Sequence, residues 1–309
     1  MRERWIDLPG VRLHTITWGR RTRRPAVVLV HGLGGNTVTW EAVGADLARE
    51  LDAHVVAIDL PGFGLTRRGD RRATIRANAE LVVELTDEFG PAVVVGNSMG
   101  GTIGLRAAVA RPDRVTGVVT LNAPWPRRLP AALRTVDRDD MRALARFATV
   151  AVPGVGERIF HRHQRGLGPE GAVDVPVAYL FHDAPSLAPH LRDRMIAVSA
   201  DRFGWGHEAA AAYVEATRSL WRSLFDPRAL WADVRDVTCP TLVVHGLADR
   251  LVPSRIVRPV LVARPDFQYV ELVDAGHVPQ MEAPAQVVDA IVAWVNERIR
   301  ATEAVTAPR

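Results

Sequence analysis

The chain of 309 residues contains no lysine, and all 39 of its basic residues are arginine. The P-loop of nucleotide-binding enzymes uses a lysine to reach the phosphates, so this absence excludes a site of that kind. Arginine keeps its charge to high pH, which places the isoelectric point near 10.1 although the formal net charge is only +4. We interpret the high isoelectric point as a consequence of arginine usage, and we expect no nucleic-acid partner.

Cysteine and long apolar runs are also scarce. Cys239 is the single cysteine, so an internal disulfide is excluded and a reducing, cytoplasmic location is expected. Met1–Asp7 has no apolar leader, and no uncharged run approaches the length of a membrane span. With 48% hydrophobic and 24% charged residues, the composition is that of an ordinary globular protein. We expect a monomer or homodimer without stable membrane insertion.

A Gly-x-Ser-x-Gly pattern stands directly after the apolar run Ala92–Val95 and before a helix-forming segment. This strand–turn–helix context is typical of a nucleophile elbow, which presents a serine, here Ser98, above a sheet. Gly96 and Gly100 flank Ser98 where strand and helix come too close for side chains. Met99 starts the helix, so its N–H is free to donate to an oxyanion. The alternative is a loop of small residues.

Two further polar residues follow strands later in the chain. Asp249 lies in the loop after the strand Thr241–His245, and His277 lies in the loop after Tyr269–Val273. Open α/β sheets place their chemistry at the carboxyl ends of strands. In the order Ser98, Asp249, His277, the histidine would take the serine proton and the aspartate would orient the histidine. Taken singly, Asp249 could be a solvated turn residue and His277 a surface loop residue.

The Gly-rich segment His31-Gly32-Leu33-Gly34-Gly35 follows another buried strand. The N–H of Leu33 is predicted to join that of Met99 in holding the oxyanion of an acyl-transfer intermediate. The segment lacks the glycine spacings that bind phosphates. His161 and His163 have no third ligand at matching spacing, so we expect no metal, and no cofactor is predicted.

With these motifs the chain resembles the α/β-hydrolase family. The shared segments are His31–Gly35, Asp59–Gly64, Gly96–Gly101, Gly246–Asp249 and Gly276–Glu282. The resemblance implies a catalytic triad of Ser98, Asp249 and His277 and an oxyanion hole at Leu33 and Met99. It also implies bracing roles for loop residues around the site, namely His31, Gly32, Asp59 and Gly62. Relatives that open epoxides or remove halogen carry an aspartate nucleophile, and Ser98 argues against both activities.

Alternating strands and helices predict an α/β fold with a mostly parallel sheet covered by helices on both faces. Between Asn122 and Arg235 the strand signal disappears and aromatic residues accumulate. We therefore predict an α/β-hydrolase core of residues 1–123 and 236–309 and an inserted helical cap of residues 124–235. A cap excludes water and forms an apolar pocket above the serine. One predicted cap helix has a basic face, formed by Arg138, Arg142 and Arg146. We interpret this face as exposed to solvent.

The predicted strands are Trp5–Leu8, Val11–Trp18, Ala26–Val30, His54–Leu60, Ala92–Val95, Val115–Leu121, Thr241–His245 and Gln268–Val273. The predicted helices are Ile75–Glu88, Ser254–Val262 and Pro284–Arg300. The predicted activity is hydrolysis of an acyl bond, an ester of a small to medium lipophilic substrate, through an acyl-enzyme. Two alternatives stay open. One is a carbon–carbon bond hydrolase, whose relatives usually have Trp where this chain has Val278. The other is a ligand receptor on the same fold.

Overall fold

The computed structural model describes residues 1–126, 152 and 154–299. Its eight strands form one sheet in the order β1-β2-β4-β3-β5-β6-β7-β8, and β3 to β8 are parallel. β1 and β2 form the predicted antiparallel hairpin, and β2 pairs antiparallel with β4. The strands are β1 Arg2–Leu8, β2 Val11–Trp18, β3 Ala26–Val30, β4 Val55–Ile58, β5 Ala92–Asn97, β6 Val115–Leu121, β7 Thr241–Gly246 and β8 Gln268–Leu272. The predicted α/β class with a mostly parallel sheet is confirmed.

The central strands are almost wholly apolar because both faces of the sheet are covered. Along β3, Val28 and Val30 point to one core while Val27 and Leu29 point to the other, as a period of two requires. Helices α2 and α3 contribute to the first core, and α1 and α10 to the second. The helices are α1 Glu41–Leu51, α2 Ile75–Phe89, α3 Met99–Ala110, α4 Val155–Leu180, α5 Pro189–Phe203, α6 Gly206–Phe225, α7 Pro227–Asp236, α8 Arg258–Ala263, α9 Pro279–Glu282 and α10 Pro284–Trp294.

Besides the one-residue extension of α2 to Phe89 and the unpredicted short helix α9, the helices differ from the prediction in three places. Helix α1 was not predicted, although its buried Val43, Leu47 and Leu51 follow helical spacing. The predicted helix 254–262 is divided into a 3₁₀ turn and α8, because Pro259 has no N–H to continue the preceding turn. The predicted helix 284–300 ends its regular part at Trp294 and continues as a π-turn, Val295–Ile299.

Helices α4 to α7 lie between β6 and β7, and we call residues 154–236 the helical insertion. Helix α4 bends at Gly168, whose φ is 69°. The insertion contacts loops at the carboxyl edge of the sheet: Leu180 accepts a hydrogen bond from the His277 N–H, 2.8 Å away. Its last helix, α7, packs against α3 through an ion pair of Arg106 and Asp233 at 2.5 Å.

The cap boundaries at residues 124 and 235 stay a prediction. Residues 127–151, which include the basic face of Arg138, Arg142 and Arg146, lie outside the described residues, as does the tail 300–309. Among the helices that are described, none combines the length and the apolar character needed to cross a membrane.

The contact between α1 and β2 gives a test of the fold. A methyl group on Gly44 would lie 2.6 Å from the ring of the buried Trp18. We expect Gly44→Ala to lower the free energy of unfolding by about 1–3 kcal/mol, because overpacking outweighs the better helix propensity of alanine. Urea denaturation measures this. The matched control is Gly166→Ala in the exposed part of α4, where nothing lies within 4 Å of the added methyl. Equal stability of the two variants would contradict the prediction.

Candidate active site

Ser98 stands between β5 and α3 with φ 52° and ψ −119°, a conformation that non-glycine residues rarely adopt. Such a backbone costs on the order of 1–3 kcal/mol and persists only where its surroundings hold it. The Ser98 N–H donates to the carbonyl of Leu121 at 2.8 Å, and its own carbonyl accepts from the Gly101 N–H at 3.0 Å. The turn is therefore fixed on both sides of the serine.

The glycines around Ser98 occupy positions where a side chain does not fit. A methyl group on Gly96 would overlap the Gly100 carbonyl, and one on Gly100 would overlap the Val30 carbonyl. A methyl group on Gly32 would lie 3.1 Å from the Ser98 Cβ. Three backbone segments thus meet at Ser98, as the sequence analysis expects of Gly96 and Gly100.

His277 and Asp249 are brought together at the carboxyl ends of β8 and β7. The Nδ1 atom of His277 lies 2.7 Å from Oδ2 of Asp249, and both side chains are buried. The other carboxylate oxygen, Oδ1, accepts the N–H groups of Leu251 and Val252 at 2.8 and 2.9 Å. Burial raises the pKa of Asp249, but His277 and these hydrogen bonds outweigh it, and the pKa lies below its ordinary value.

The His277 loop is joined to the serine turn through Asn97, the neighbour of Ser98. The Asn97 side-chain amide donates to the His277 carbonyl at 3.0 Å and to the Leu121 carbonyl at 3.1 Å. The insertion holds the same loop from its other side, through the Leu180 carbonyl described above. The structure therefore places Ser98, Asp249 and His277 on three loops at one edge of the sheet, with the loop after β6 between those of Ser98 and Asp249.

Two residues that position this group were missed by the sequence analysis. Asn122, at φ 50° after β6, donates to Asp249 Oδ2 at 2.7 Å and accepts the Gly246 N–H at 3.1 Å. Glu282 accepts the N–H groups of Gly276 and Val278 at 2.9 and 3.0 Å, one on each side of His277. The only sequence signal for Asn122 is an asparagine directly after a buried strand, a residue type that tolerates positive φ.

The Gly-rich loop after β3 is held by His31. Its Nε2 accepts the Leu60 N–H at 3.1 Å, so Nδ1 carries the proton and donates to the Gly32 carbonyl at 2.7 Å. Complete burial lowers the pKa of His31, which keeps the imidazole neutral. Neither the Leu33 N–H nor the Met99 N–H donates to another of the described residues. Their role as an oxyanion hole stays a prediction.

Asp59 holds the loops next to the Gly-rich segment by hydrogen bonds. Its fully buried carboxylate accepts the N–H groups of Thr37 and Leu65 at 2.6 and 2.9 Å and contacts His14 Nδ1 at 2.7 Å. The other ring nitrogen of His14 lies 3.1 Å from a carboxylate oxygen of Glu3. Burial lowers the pKa of His14, but the two carboxylates outweigh burial and the pKa is raised. His14 carried no signal in the sequence analysis.

His161 and His207 stack in the insertion, with ring centroids 3.8 Å apart. Over residues 1–126 and 154–299, no group of three or more histidine, cysteine or acidic side chains is placed to hold a metal ion. The expectation of no metal and no cofactor stays a prediction.

The His14–Asp59 pair predicts a pH-dependent contribution to stability. Because the pKa of His14 is raised in the folded state, its contribution is fully present below the ordinary value of 6.5 and is lost as the pH rises through the raised pKa. We expect the difference in unfolding free energy between the wild type and His14→Gln to shrink from pH 5.5 to about pH 9. Urea denaturation at each pH measures it. His163→Gln, an exposed control, should show no such trend; a difference that grows with pH would refute the assignment.

Known proteins similar to this chain are enzymes of several kinds. An esterase of Mycobacterium tuberculosis, Rv0045c, is 26% identical over 93% of this chain and 87% of its own length. The 2-hydroxy-6-oxo-6-(2'-aminophenyl)hexa-2,4-dienoic acid hydrolase of Metapseudomonas resinovorans is 26% identical over 98% of this chain and 93% of its own length. The dihydrolipoyllysine-residue acetyltransferase component of the acetoin cleaving system of Pseudomonas putida is 28% identical over 88% of this chain, which spans only 63% of that protein.

A solved structure shows the same fold at lower identity. The epoxide hydrolase of Bacillus megaterium matches 95% of this chain and 100% of its own chain with a TM-score of 0.73 at 19% identity. The family model described as alpha/beta hydrolase fold matches residues 25–284, which include every predicted site residue. The family implied by the motifs is confirmed: this chain belongs to the alpha/beta hydrolase fold family.

Proposed function

We propose that this chain is a serine hydrolase that cleaves an acyl bond, an ester of a small to medium lipophilic substrate, through an acyl-enzyme on Ser98. The observation that carries the proposal is the 2.7 Å contact of His277 Nδ1 with Asp249 beside the strained turn of Ser98. It leaves Nε2 of His277 free to take a proton. Membership of a family with esterase and other hydrolase relatives supports the same reaction class.

In the proposed mechanism, the Ser98 Oγ attacks the ester carbonyl while His277 Nε2 takes its proton. Asp249 stabilises the imidazolium, and the N–H groups of Leu33 and Met99 hold the oxyanion. His277 then protonates the leaving alcohol, and the acyl group stays on Ser98 as an ester. A water molecule, deprotonated by His277, attacks this ester, and the carboxylic acid leaves as Ser98 recovers its proton.

The serine at the nucleophile position favours ester cleavage over the epoxide opening and halogen removal carried out by relatives with an aspartate nucleophile. A serine has no carboxylate to form the alkyl-enzyme ester that epoxide opening or halogen removal needs. Next to His277, the buried Val278 belongs to an apolar cluster with Val177, Phe181 and Met281, in which the insertion meets the site loops. All four side chains are buried, so this cluster joins the insertion to the loop of His277. The lipophilic character of the substrate, the cap over the site, the cytoplasmic location and the monomer or homodimer state are part of the same proposal.

We expect Ser98→Ala to lower kcat for a p-nitrophenyl ester by about a million-fold, because the other members of a triad cannot replace its nucleophile. The unfolding midpoint should hardly change, since the glycines set the turn. An organophosphonate probe followed by peptide mass spectrometry should modify Ser98 alone. Ser186→Ala, at an exposed position in the insertion, is the control and should retain activity. Labelling at another serine, or activity of Ser98→Ala within tenfold of wild type, would contradict the proposal.

Three aspartates near strand ends can be told apart by amide substitution. Asp249→Asn should lower kcat by about four decades, because the amide leaves His277 in the wrong tautomer. Asp274 is exposed, so Asp274→Asn is the control and should change little. Asp59→Asn should lower the unfolding free energy by about 1–3 kcal/mol, since it leaves a buried backbone donor or His14 without its charged acceptor. The kcat and the unfolding free energy in urea are measured for all three variants. A large loss of kcat in Asp59→Asn, with only a loss of stability in Asp249→Asn, would mean that the acid of the triad is misassigned.

A further inference from the structure

The Gly-rich loop after β3 contains a reverse turn whose type can be assigned. The Gly35 N–H donates to the Gly32 carbonyl at 3.0 Å, which closes a turn around Leu33 and Gly34. Gly34 has a φ of 79°, whereas Leu33 has a negative φ. This combination is a type II turn, whose third position requires a positive φ and therefore favours glycine. Leu33 occupies the second position, and the hydrogen bond of the turn does not use its N–H.

The two sides of this turn are supported differently. On the inner side, the Gly32 carbonyl also accepts from His31 Nδ1 at 2.7 Å, and a methyl group on Gly32 would lie 3.1 Å from the Ser98 Cβ. On the outer side, a methyl group on Gly34 would lie 3.3 Å from Cε2 of Tyr213. Apart from the chain neighbours of Gly34, no other described residue comes within 4 Å of that methyl group. Because glycines give a turn little rigidity of its own, the Tyr213 ring is the support of the outer side.

Tyr213 belongs to a helix of the insertion that is fixed to the core. Helix α6 accepts three backbone N–H groups from residues 68–75. These hydrogen bonds run from Arg68 to Glu208, from Ala73 to Glu215 and from Ile75 to Ser219, at 2.5, 3.0 and 3.0 Å. The Tyr213 ring also stacks on Phe160 of α4, with ring centroids 4.0 Å apart and planes inclined by 10°. The ring cannot leave the turn without disturbing both helices.

We propose that Tyr213 is a positioning residue for the oxyanion hole, because its ring holds Gly34 and thereby fixes the direction of the adjacent Leu33 N–H. The inference rests on the proposed function, since it assigns a support to one of the two oxyanion donors. A donor stabilises the transition state most when its direction is fixed before the reaction, by groups on rigid elements. The Tyr213 hydroxyl makes no hydrogen bond to another residue of the described chain, so the ring is the part that acts.

The first test removes the ring. In Tyr213→Ala we expect kcat for p-nitrophenyl hexanoate to fall by about ten- to a hundredfold, less than the full loss of an oxyanion donor causes. KM should stay within about twofold, because acylation and deacylation use the same N–H groups. Tyr213→Phe keeps the ring and should retain the wild-type kcat.

A transition-state analogue gives a second readout of the same contact. The trifluoromethyl ketone with the pentyl chain of the hexanoyl group is used as the inhibitor. Ser98 Oγ adds to its carbonyl carbon, His277 takes the serine proton, and the carbonyl oxygen becomes an oxyanion. The Ki of this ketone in Tyr213→Ala should rise by the same factor by which kcat falls, because both depend on the oxyanion donors.

Leu33→Pro tests whether the ring acts through this N–H. Proline is common at the second position of a type II turn and has no N–H, so the substitution removes the donor and keeps the turn. We expect kcat to fall by about 10²–10³-fold, the usual effect of losing one oxyanion donor. Adding Tyr213→Ala to Leu33→Pro should lower kcat no further. A second loss as large as that in the wild-type background would overturn the inference.

Leu220→Ala, on the same helix and packed against the first core, is the matched control. It should lower the unfolding free energy in urea but keep the wild-type kcat and Ki. An unchanged kcat in Tyr213→Ala, a raised KM without loss of kcat, or an equal loss in Tyr213→Phe would each overturn the inference. If Tyr213→Ala does not fold, Tyr213→Leu, which lacks the flat ring, decides by the same measurements. If Leu33→Pro does not fold, the parallel change of kcat and Ki decides.

Failure of the proposed function gives a different pattern. Release of p-nitrophenol at equal rates by the wild type and Ser98→Ala would overturn both proposals. Release that depends on Ser98, with an unchanged kcat and Ki in Leu33→Pro, would keep the nucleophile and overturn the inference together with Leu33 as a donor. A loss of kcat in Leu33→Pro without any loss in Tyr213→Ala would overturn the inference alone.

Discussion

The close approach of three backbone segments at Ser98 is the constraint on which the site depends. The end of β3, the end of β5 and the start of α3 meet so tightly that Gly100 lies against the Val30 carbonyl. A serine between such segments has one conformation open to it, at φ 52°. The sheet and its two cores keep Ser98 in this strained conformation, because neither β3 nor β5 can move without disturbing the side chains packed against it.

Buried and half-buried acceptors then arrange the loops around that turn. Asp59 accepts N–H groups from two separate loops, and Glu282 accepts those on either side of His277 and that of His182 in the insertion. Asn122 joins β6 to the loop of Asp249. A carboxylate taken out of water needs hydrogen-bond donors for its oxygens. Leaving such a charge without partners destabilises the fold by far more free energy than a single hydrogen bond contributes. Each such group therefore fixes the spacing of two loops as well as satisfying its own oxygens. The positions of His31 and His277 follow from these groups.

The sheet could be predicted from the sequence because buried parallel strands are continuous apolar runs bounded by polar loops. The prediction for Val115–Leu121 matches β6 at both ends. Helix α1 was missed although Val43, Leu47 and Leu51 keep helical spacing, and its Gly44 is explained only by the Trp18 ring that lies against it. Asn122, Glu282 and His14 were missed for a related reason. Asn122 and His14 have partners tens of residues away along the chain, and the role of Glu282 follows only from the fold of the loop around His277.

The bond from the His277 N–H to the Leu180 carbonyl has a consequence for how such enzymes diversify. A loop that carries a core residue of the site is held in part by the backbone of the insertion, so the two are not independent modules. An insertion taken from another family member would have to bring a carbonyl to the same point, or the histidine loop would lose one of its supports. Recombination between relatives should therefore succeed most often at junctions that keep α4 and the segment after β8 from one parent.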